Sequence, residues 1–138
     1  MSLLQQKENS SRDATPEANK STVMAFYEAA INRKDFEAAA KFIGARYVQH
    51  NPLIADGIDG FQTFVGYLRQ TFPKLRAEIK RIFADGDFVI VHTHGIREPG
   101  QRGSAIVDIF RLEGGKIVEH WDVMQPVPEN ASNQNGMF

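Results

Sequence analysis

At Pro73 the apolar periodicity of this chain changes, and that change constrains the fold more than any other feature. Before it, large apolar residues recur at helical spacing. Val23, Phe26, Tyr27 and Ala30 fall at i, i+3, i+4 and i+7, one face of a helix with Ser21 as its predicted cap. Asp35 is placed to cap a short second helix, in which Phe36, Ala39, Ala40 and Ile43 keep the period until Gly44 stops it. Tyr47-Val48-Gln49-His50 reads as a short strand cut by Asn51-Pro52. A third helix then carries Phe61, Phe64, Val65, Leu68 and Phe72 up to Pro73. After Pro73 the period is two. Leu75, Ala77, Ile79 and Phe83 alternate with charged residues, and Asp85-Gly86, Glu98-Pro99-Gly100 and Gly114-Gly115 mark turns between four strands. The later three are predicted over 88–95, 104–112 and 116 to about 125.

Helices gathered first and an antiparallel meander after them predict an α+β domain with helices on one sheet face. The segment Ala105-Ile106-Val107-Asp108-Ile109-Phe110 is apolar on both parities, so the other face needs a cover as well. A second copy of the chain is the economical cover, which predicts a homodimer packed sheet to sheet. At 138 residues the chain has one domain's length, assigned to 19–128, with a polar arm at 1–18 and a tail at 129–138. The tail ends on Met137 and Phe138, for which docking on a neighbour and fraying are both open.

Composition narrows the chemistry. A net charge of -1 gives no support to a nucleic-acid or membrane partner, and zero Cys excludes disulfides, thiolate nucleophiles and cysteine metal sites. The opening Met1-Ser2-Leu3-Leu4 turns polar at Gln5, so no signal-type apolar stretch is expected and the cytoplasm is the default location. No glycine-rich phosphate loop or GxSxG elbow occurs.

What remains is carboxylates, hydroxyls, amides and four histidines. Asp108 stands inside an apolar strand, where a carboxylate is costly unless paired or protonated. A structural hydrogen bond and a role in a cavity both answer that constraint. On the last strand, alternation puts His120 and Asp122 on one face with Met124, and Glu119 with Trp121 on the other. His120 and Asp122 are candidates for a polarised proton-transfer pair, with a solvated surface contact as the alternative. His92 and His94 also share a face, a spacing that suits a metal but has no third ligand attached to it, so pocket-wall hydrogen bonding is the expectation. His50 lies where the first strand breaks, a position suited to a pocket mouth. Tyr27 sits on the apolar helix face, where core filling is the expected role and its hydroxyl needs a partner once buried.

The order of elements, together with Phe110-Arg111-Leu112-Glu113-Gly114-Gly115-Lys116-Ile117-Val118-Glu119-His120-Trp121-Asp122, resembles the nuclear transport factor 2-like superfamily. Gln49-His50-Asn51-Pro52, Asp56-Gly57 and Gly60-Phe61 are similar to its SnoaL-like branch, which includes polyketide cyclases. The resemblance covers residues 19 to 128. It implies a cone-shaped α+β barrel, with three helices packed on a curved, mainly antiparallel sheet. Set against ketosteroid isomerases of that superfamily, Tyr27 and Asp108 match functional positions, whereas Asn51 falls where those enzymes have their base. Set against the polyketide cyclases, Gln125 falls where they have an essential Asp. The resemblance implies a pocket lined by Asn51, His92, Phe110, Trp121, Met124 and Gln125. It also implies acid–base chemistry (isomerisation, aldol-type cyclisation or dehydration) on a small hydrophobic carbonyl compound, with no cofactor or metal. In that scheme Asp108 and Tyr27 stabilise an enolate oxygen, and His50, or His120 with Asp122, moves the proton. A non-catalytic binder and a protein-interaction domain are the alternatives, because this fold does not fix function.

Overall fold

The computed structural model describes residues 15–138. Helix α1 (Pro16–Tyr27) starts earlier than the apolar period suggests. Its cap is Thr15 rather than Ser21: the Thr15 hydroxyl accepts from the Ala18 N–H at 3.1 Å, and Pro16 occupies a first-turn position whose N–H would be unsatisfied anyway. Part of the predicted arm is therefore helix, and the rest of it lies outside the described residues. After Tyr27 the helix widens into a π-turn (Glu28–Asn32). The Asn32 side chain accepts from the Ala77 N–H at 2.7 Å and donates to the Ala77 carbonyl at 3.1 Å, which ties this turn to the sheet edge.

Helix α2 (Phe36–Ala40) is capped by Asp35 as predicted, through the Ala38 N–H. It stops short of Ile43 and Gly44, which belong instead to strand β1 (Ile43–Gln49). The reason is tertiary: Ile43 pairs with Ile117, and a Cβ on Gly44 would stand 2.9 Å from the Val118 side chain. Helix α3 (Gly57–Thr71) follows, then the meander β2 (Arg76–Asp85), β3 (Phe88–Ile96), β4 (Ser104–Glu113) and β5 (Lys116–Pro126).

The five strands form one sheet in the order β1-β5-β4-β3-β2, with β1 parallel to β5 and the other pairs antiparallel. The sheet is curved and open, because β1 and β2 are its two edges and do not pair with each other. The last strand of the meander is thus an interior strand. Register places Asp108 opposite Val91 on one side and Asp122 on the other, and Phe110 opposite Val89 and His120. That set faces the helices. Ile90, His92, Val107, Ile109, Trp121 and Val123 face outward by strand alternation.

Aromatic rings join the layers. Phe61 of α3 packs on Phe26 of α1 at 5.4 Å, on Phe36 of α2 at 5.8 Å and on Tyr47 of β1 at 6.0 Å, while Phe26 meets Phe110 of β4 edge-on at 5.7 Å. The tail crosses the outer sheet face of its own chain, with the Phe138 ring stacked on His94 at 4.2 Å and on His92 at 5.6 Å. Among the described residues no helix is long and apolar enough to cross a membrane. Because Phe61 of α3 packs on both other helices and on β1, Phe61→Ala is expected to cost about 3–5 kcal/mol of stability in denaturant melts, the range for emptying a buried aromatic site.

Candidate functional site

The buried carboxyl of Asp108, only 4 % exposed, is held at both oxygens. Tyr27 donates its hydroxyl to Oδ2 at 2.8 Å, and His120 Nε2 lies 2.8 Å from Oδ1. The other imidazole nitrogen, Nδ1, lies 2.8 Å from Gln49 Oε1, and Gln49 Nε2 donates to the Tyr47 hydroxyl at 3.3 Å. A chain of hydrogen bonds therefore runs from α1 through β4 and β5 to β1. Each member comes from a core-facing strand position or from the apolar side of α1, so the sheet register brings them together. Burial, with the Asp108 charge second, pushes the Tyr27 phenol well above its ordinary value. Burial also raises Tyr47.

Asp122 is the half-buried member of the site. Asn51 donates its side-chain amide to both Asp122 oxygens, at 2.9 and 3.0 Å. Burial raises the Asp122 carboxyl above the usual carboxylate range; the Asn51 bond and His120 oppose that, and the nearby Asp108 charge adds to it. The predicted His120–Asp122 pair is not formed. His120 reaches diagonally to Asp108 instead, and Asp122 turns to Asn51. One ligating atom from each of Asp108, His120 and Asp122 lies within 4.8 Å of the others, the donor set that a metal ion would use here. In the present geometry the His120–Asp108 contact is instead that of a shared hydrogen.

The structure gathers Tyr27, Asp108, Phe110, His120, Asp122 and Asn51 on the helix-facing side, with the Phe110 and His120 rings 4.9 Å apart. Met124 shares that side by parity but is 54 % exposed near the end of β5. Four predicted residues lie elsewhere. His50 stacks flat on Trp121 at 4.6 Å on the outer face and binds Glu119 there at 2.6 Å, so neither His50 nor Trp121 reaches Asp108. The cause is alternation: Gln49 and Asn51 turn inward and His50 between them turns outward. His92 contacts Arg81 and Phe138, and Gln125 pairs with Ala105, both on the outer side. The His92/His94 metal reading does not hold either, since His94 Nε2 is bonded to the Arg102 carbonyl at 2.7 Å and His92 Nδ1 to Arg81.

Gln49, Tyr47 and Thr93 were not singled out from sequence. Gln49 lies in the Gln49-His50-Asn51-Pro52 stretch of the family resemblance, but its place beside His120 comes only from the parallel β1–β5 pairing. Thr93 is fully buried on the same face of β3, and its hydroxyl has no partner among the described residues. A cavity of about 570 Å³ opens beside Tyr27, Met24, Asn32 and Arg76. Another of about 400 Å³ lies on the outer face under Met137. Asp108, His120, Asp122 and Asn51 line neither.

The SnoaL-like domain family matches residues 23–120, well over half of the sequence and all of the hydrogen-bonded chain. The chain belongs to the SnoaL-like domain family. Solved structures with the same fold include TsrD from Streptomyces laurentii, 21 % identical, with a TM-score of 0.67 over 80 % of this chain and 90 % of that one. A candidate polyketide cyclase from Acidithiobacillus ferrooxidans is also 21 % identical, with a TM-score of 0.65 over 78 % and 87 %. A candidate ketosteroid isomerase from Kribbella flavida is 14 % identical, with a TM-score of 0.68 over 87 % of each chain. No protein of curated function matches the sequence. At these identities the likeness to solved structures concerns the fold.

In this SnoaL-like domain the Tyr27–Asp108 bond is the simplest part of the site to test for stability. Tyr27→Phe keeps the ring and removes the donor to a buried carboxyl oxygen. It is expected to lower unfolding free energy by about 1–3 kcal/mol in urea melts.

Proposed function

We propose that this SnoaL-like domain is a small-molecule enzyme that moves a proton on a hydrophobic carbonyl compound, without a cofactor. The observation that carries this reading is Asp122: a half-buried carboxyl, raised by burial and aimed by Asn51, beside the buried Tyr27–Asp108–His120 chain. A carboxylate raised in this way is a stronger base at neutral pH than a free one. In the proposed step Asp122 takes a proton from the carbon next to the carbonyl, and the C–H electron pair moves onto the carbonyl oxygen. Tyr27, the buried hydroxyl donor of the same helix-facing grouping, is the donor suited to that oxygen, in exchange for its bond to Asp108. Returning the proton at a different carbon isomerises the substrate; attack of the enolate on a second carbonyl closes a ring. His50 has no part in this scheme, because it lies on the other face of the sheet.

One observation favours a second reading, a non-catalytic binder of the same ligand class. Both oxygens of Asp108 and both nitrogens of His120 are already committed within the protein. The two readings separate at Asp122. As an enzyme, the protein exchanges α-protons of a hydrophobic ketone or lactone in heavy water, and Asp122→Asn slows this at least 100-fold, the lower bound for loss of a general base. The acid limb of the rate profile lies above the usual carboxylate range and vanishes in the variant. The stability sign is opposite. A raised folded-state value means that ionised Asp122 opposes folding, so its favourable contribution is present at acid pH and is lost as pH rises through that value. Asp122→Asn should therefore equal or exceed the parent in neutral-pH melts while losing exchange. A binder would show ligand-induced stabilisation and no exchange in either protein.

The outer sheet face supports a homodimer as the working form. Its band of Ile90, Val107, Ile109 and Trp121 continues into Val123, which is 69 % exposed; the tail covers His92 and His94 with Phe138, and its Met137 lines a cavity with Val107 and Val123. Light scattering is expected to give twice the 15.5 kDa chain mass, and Ile109→Lys to give the single-chain value. A parent protein that stays single at micromolar concentration would remove the dimer.

A further inference from the structure

Gln49 closes β1, and the parallel pairing of β1 with β5 sets it directly beside His120. Its side-chain oxygen has two neighbours. The backbone N–H of Asn51 donates to Oε1 at 3.0 Å, and His120 Nδ1 lies 2.8 Å from the same atom. A backbone N–H can only donate, so the amide atom that faces it is oxygen. Turning the amide over would set Nε2 against the Asn51 N–H, donor against donor, whereas the Tyr47 hydroxyl, able to donate or accept, suits either orientation. The Asn51 N–H thus fixes the amide orientation, and the atom that the amide presents to the imidazole is an acceptor. Only a protonated Nδ1 satisfies an acceptor at that distance.

The consequence falls on the opposite side of the ring. Once Nδ1 carries the hydrogen of a neutral imidazole, Nε2 offers a lone pair to Asp108 Oδ1, 2.8 Å away. Two lone pairs do not stay in contact at that distance in a buried site, so a hydrogen lies between them. The second oxygen of Asp108 accepts from Tyr27 and is not free to take it.

We propose that Gln49 is a positioning residue that fixes the hydrogen of neutral His120 on Nδ1, so that Nε2 and Asp108 Oδ1 share a single exchangeable hydrogen. The mobile proton of the site is then held at the Asp108 end of the ring, toward Tyr27, and not at the β1 end. Gln49 touches no substrate in this scheme and acts through His120. The kinetic part of the proposal rests on the proton-transfer reading above; the tautomer does not.

The test is the tautomer of His120, read from long-range proton–nitrogen spectra of imidazole-labelled protein across a pH titration. The neutral ring is expected to show a protonated Nδ1 and an unprotonated Nε2. Gln49→Leu removes the acceptor and is expected to move the hydrogen to Nε2, where it donates to Asp108. Gln49→Glu keeps an acceptor at the same place and restores the Nδ1 form. If Gln49→Leu does not fold, Gln49→Met, unbranched and of nearly the same length, carries the same expectation. A parent ring with its hydrogen on Nε2 overturns the proposal. So does a ring that stays doubly protonated throughout, or an apolar variant with the parent's tautomer. On a ketone that the parent exchanges, Gln49→Leu should be about tenfold slower with KM unchanged, as for loss of a hydrogen bond that orients a functional imidazole, and Gln49→Glu should recover most of the rate. An Nδ1 hydrogen in a parent that exchanges no ketone would leave the tautomer assignment standing and remove the enzymatic reading instead.

Discussion

A carboxyl group placed in the middle of an interior strand has to have both oxygens satisfied, and in this chain that demand organises the site. Asp108 lies on β4 between β3 and β5, with Val91 and Asp122 as its cross-strand neighbours. Neither can be its donor: one is apolar and the other is a second carboxyl. The partners must come from elsewhere, and they come from two layers, Tyr27 from the helix above and His120 diagonally along β5. An unpartnered buried oxygen would cost more than a typical hydrogen bond contributes, so the position of α1 over the sheet is fixed by chemistry as well as by the Phe26–Phe110 contact. The π-turn that follows Tyr27 and the Asn32 clamp on Ala77 hold that end of the helix against β2.

The parallel edge strand has a comparable effect. The β1–β5 pairing makes β5 an interior strand and brings Gln49 and Asn51 to the two polar residues that face the helices, His120 and Asp122. The two inward residues straddle His50, which is forced outward onto Trp121 and Glu119. On that side Arg111 also binds Glu119, and together with His50 it holds the Glu119 carboxyl below the usual range. One strand end therefore serves two polar groupings on opposite faces, and only the inner one meets Asp108.

These relations explain which parts of the site were legible in the sequence. Asp108, His120 and Asp122 could be read because alternation along β4 and β5 is local, whereas Tyr27 reads as core filler from its helix face and entered the site through the family resemblance. The helix, helix, strand, helix, meander order was legible from the change of period at Pro73. Boundaries set by tertiary contact were not: Ile43 and Gly44 fit a helical period but pair with β5, and Thr15 takes the cap that Ser21 was expected to supply. Trp121 and Gln125 were separated from His120 and Asp122 by parity alone, and their place in a pocket came from the family resemblance. His50 failed for a different reason. A short strand does not say which of its faces meets the helices until its partner is known, and the partner of β1 lies about seventy positions further along the chain.

The same saturation that makes the site stable also limits how it can act. Every polar atom of the Tyr27–Asp108–His120–Gln49 chain is bonded inside the protein, so a ligand gains a donor only by exchanging one partner for another. Tyr27 is the one member of the chain that also borders the 570 Å³ cavity, which makes it the candidate for such an exchange. If its hydroxyl turns to a substrate oxygen, Asp108 Oδ2 loses its donor, at a cost of about 1–3 kcal/mol, close to what the new bond returns. Ground-state binding of a ligand oxygen would then be nearly neutral at this contact. A bond to a developing enolate is stronger than a bond to a neutral carbonyl, so the exchange becomes favourable as charge builds on the oxygen. In a network already closed on itself, stabilisation of that kind is reserved for the charged state.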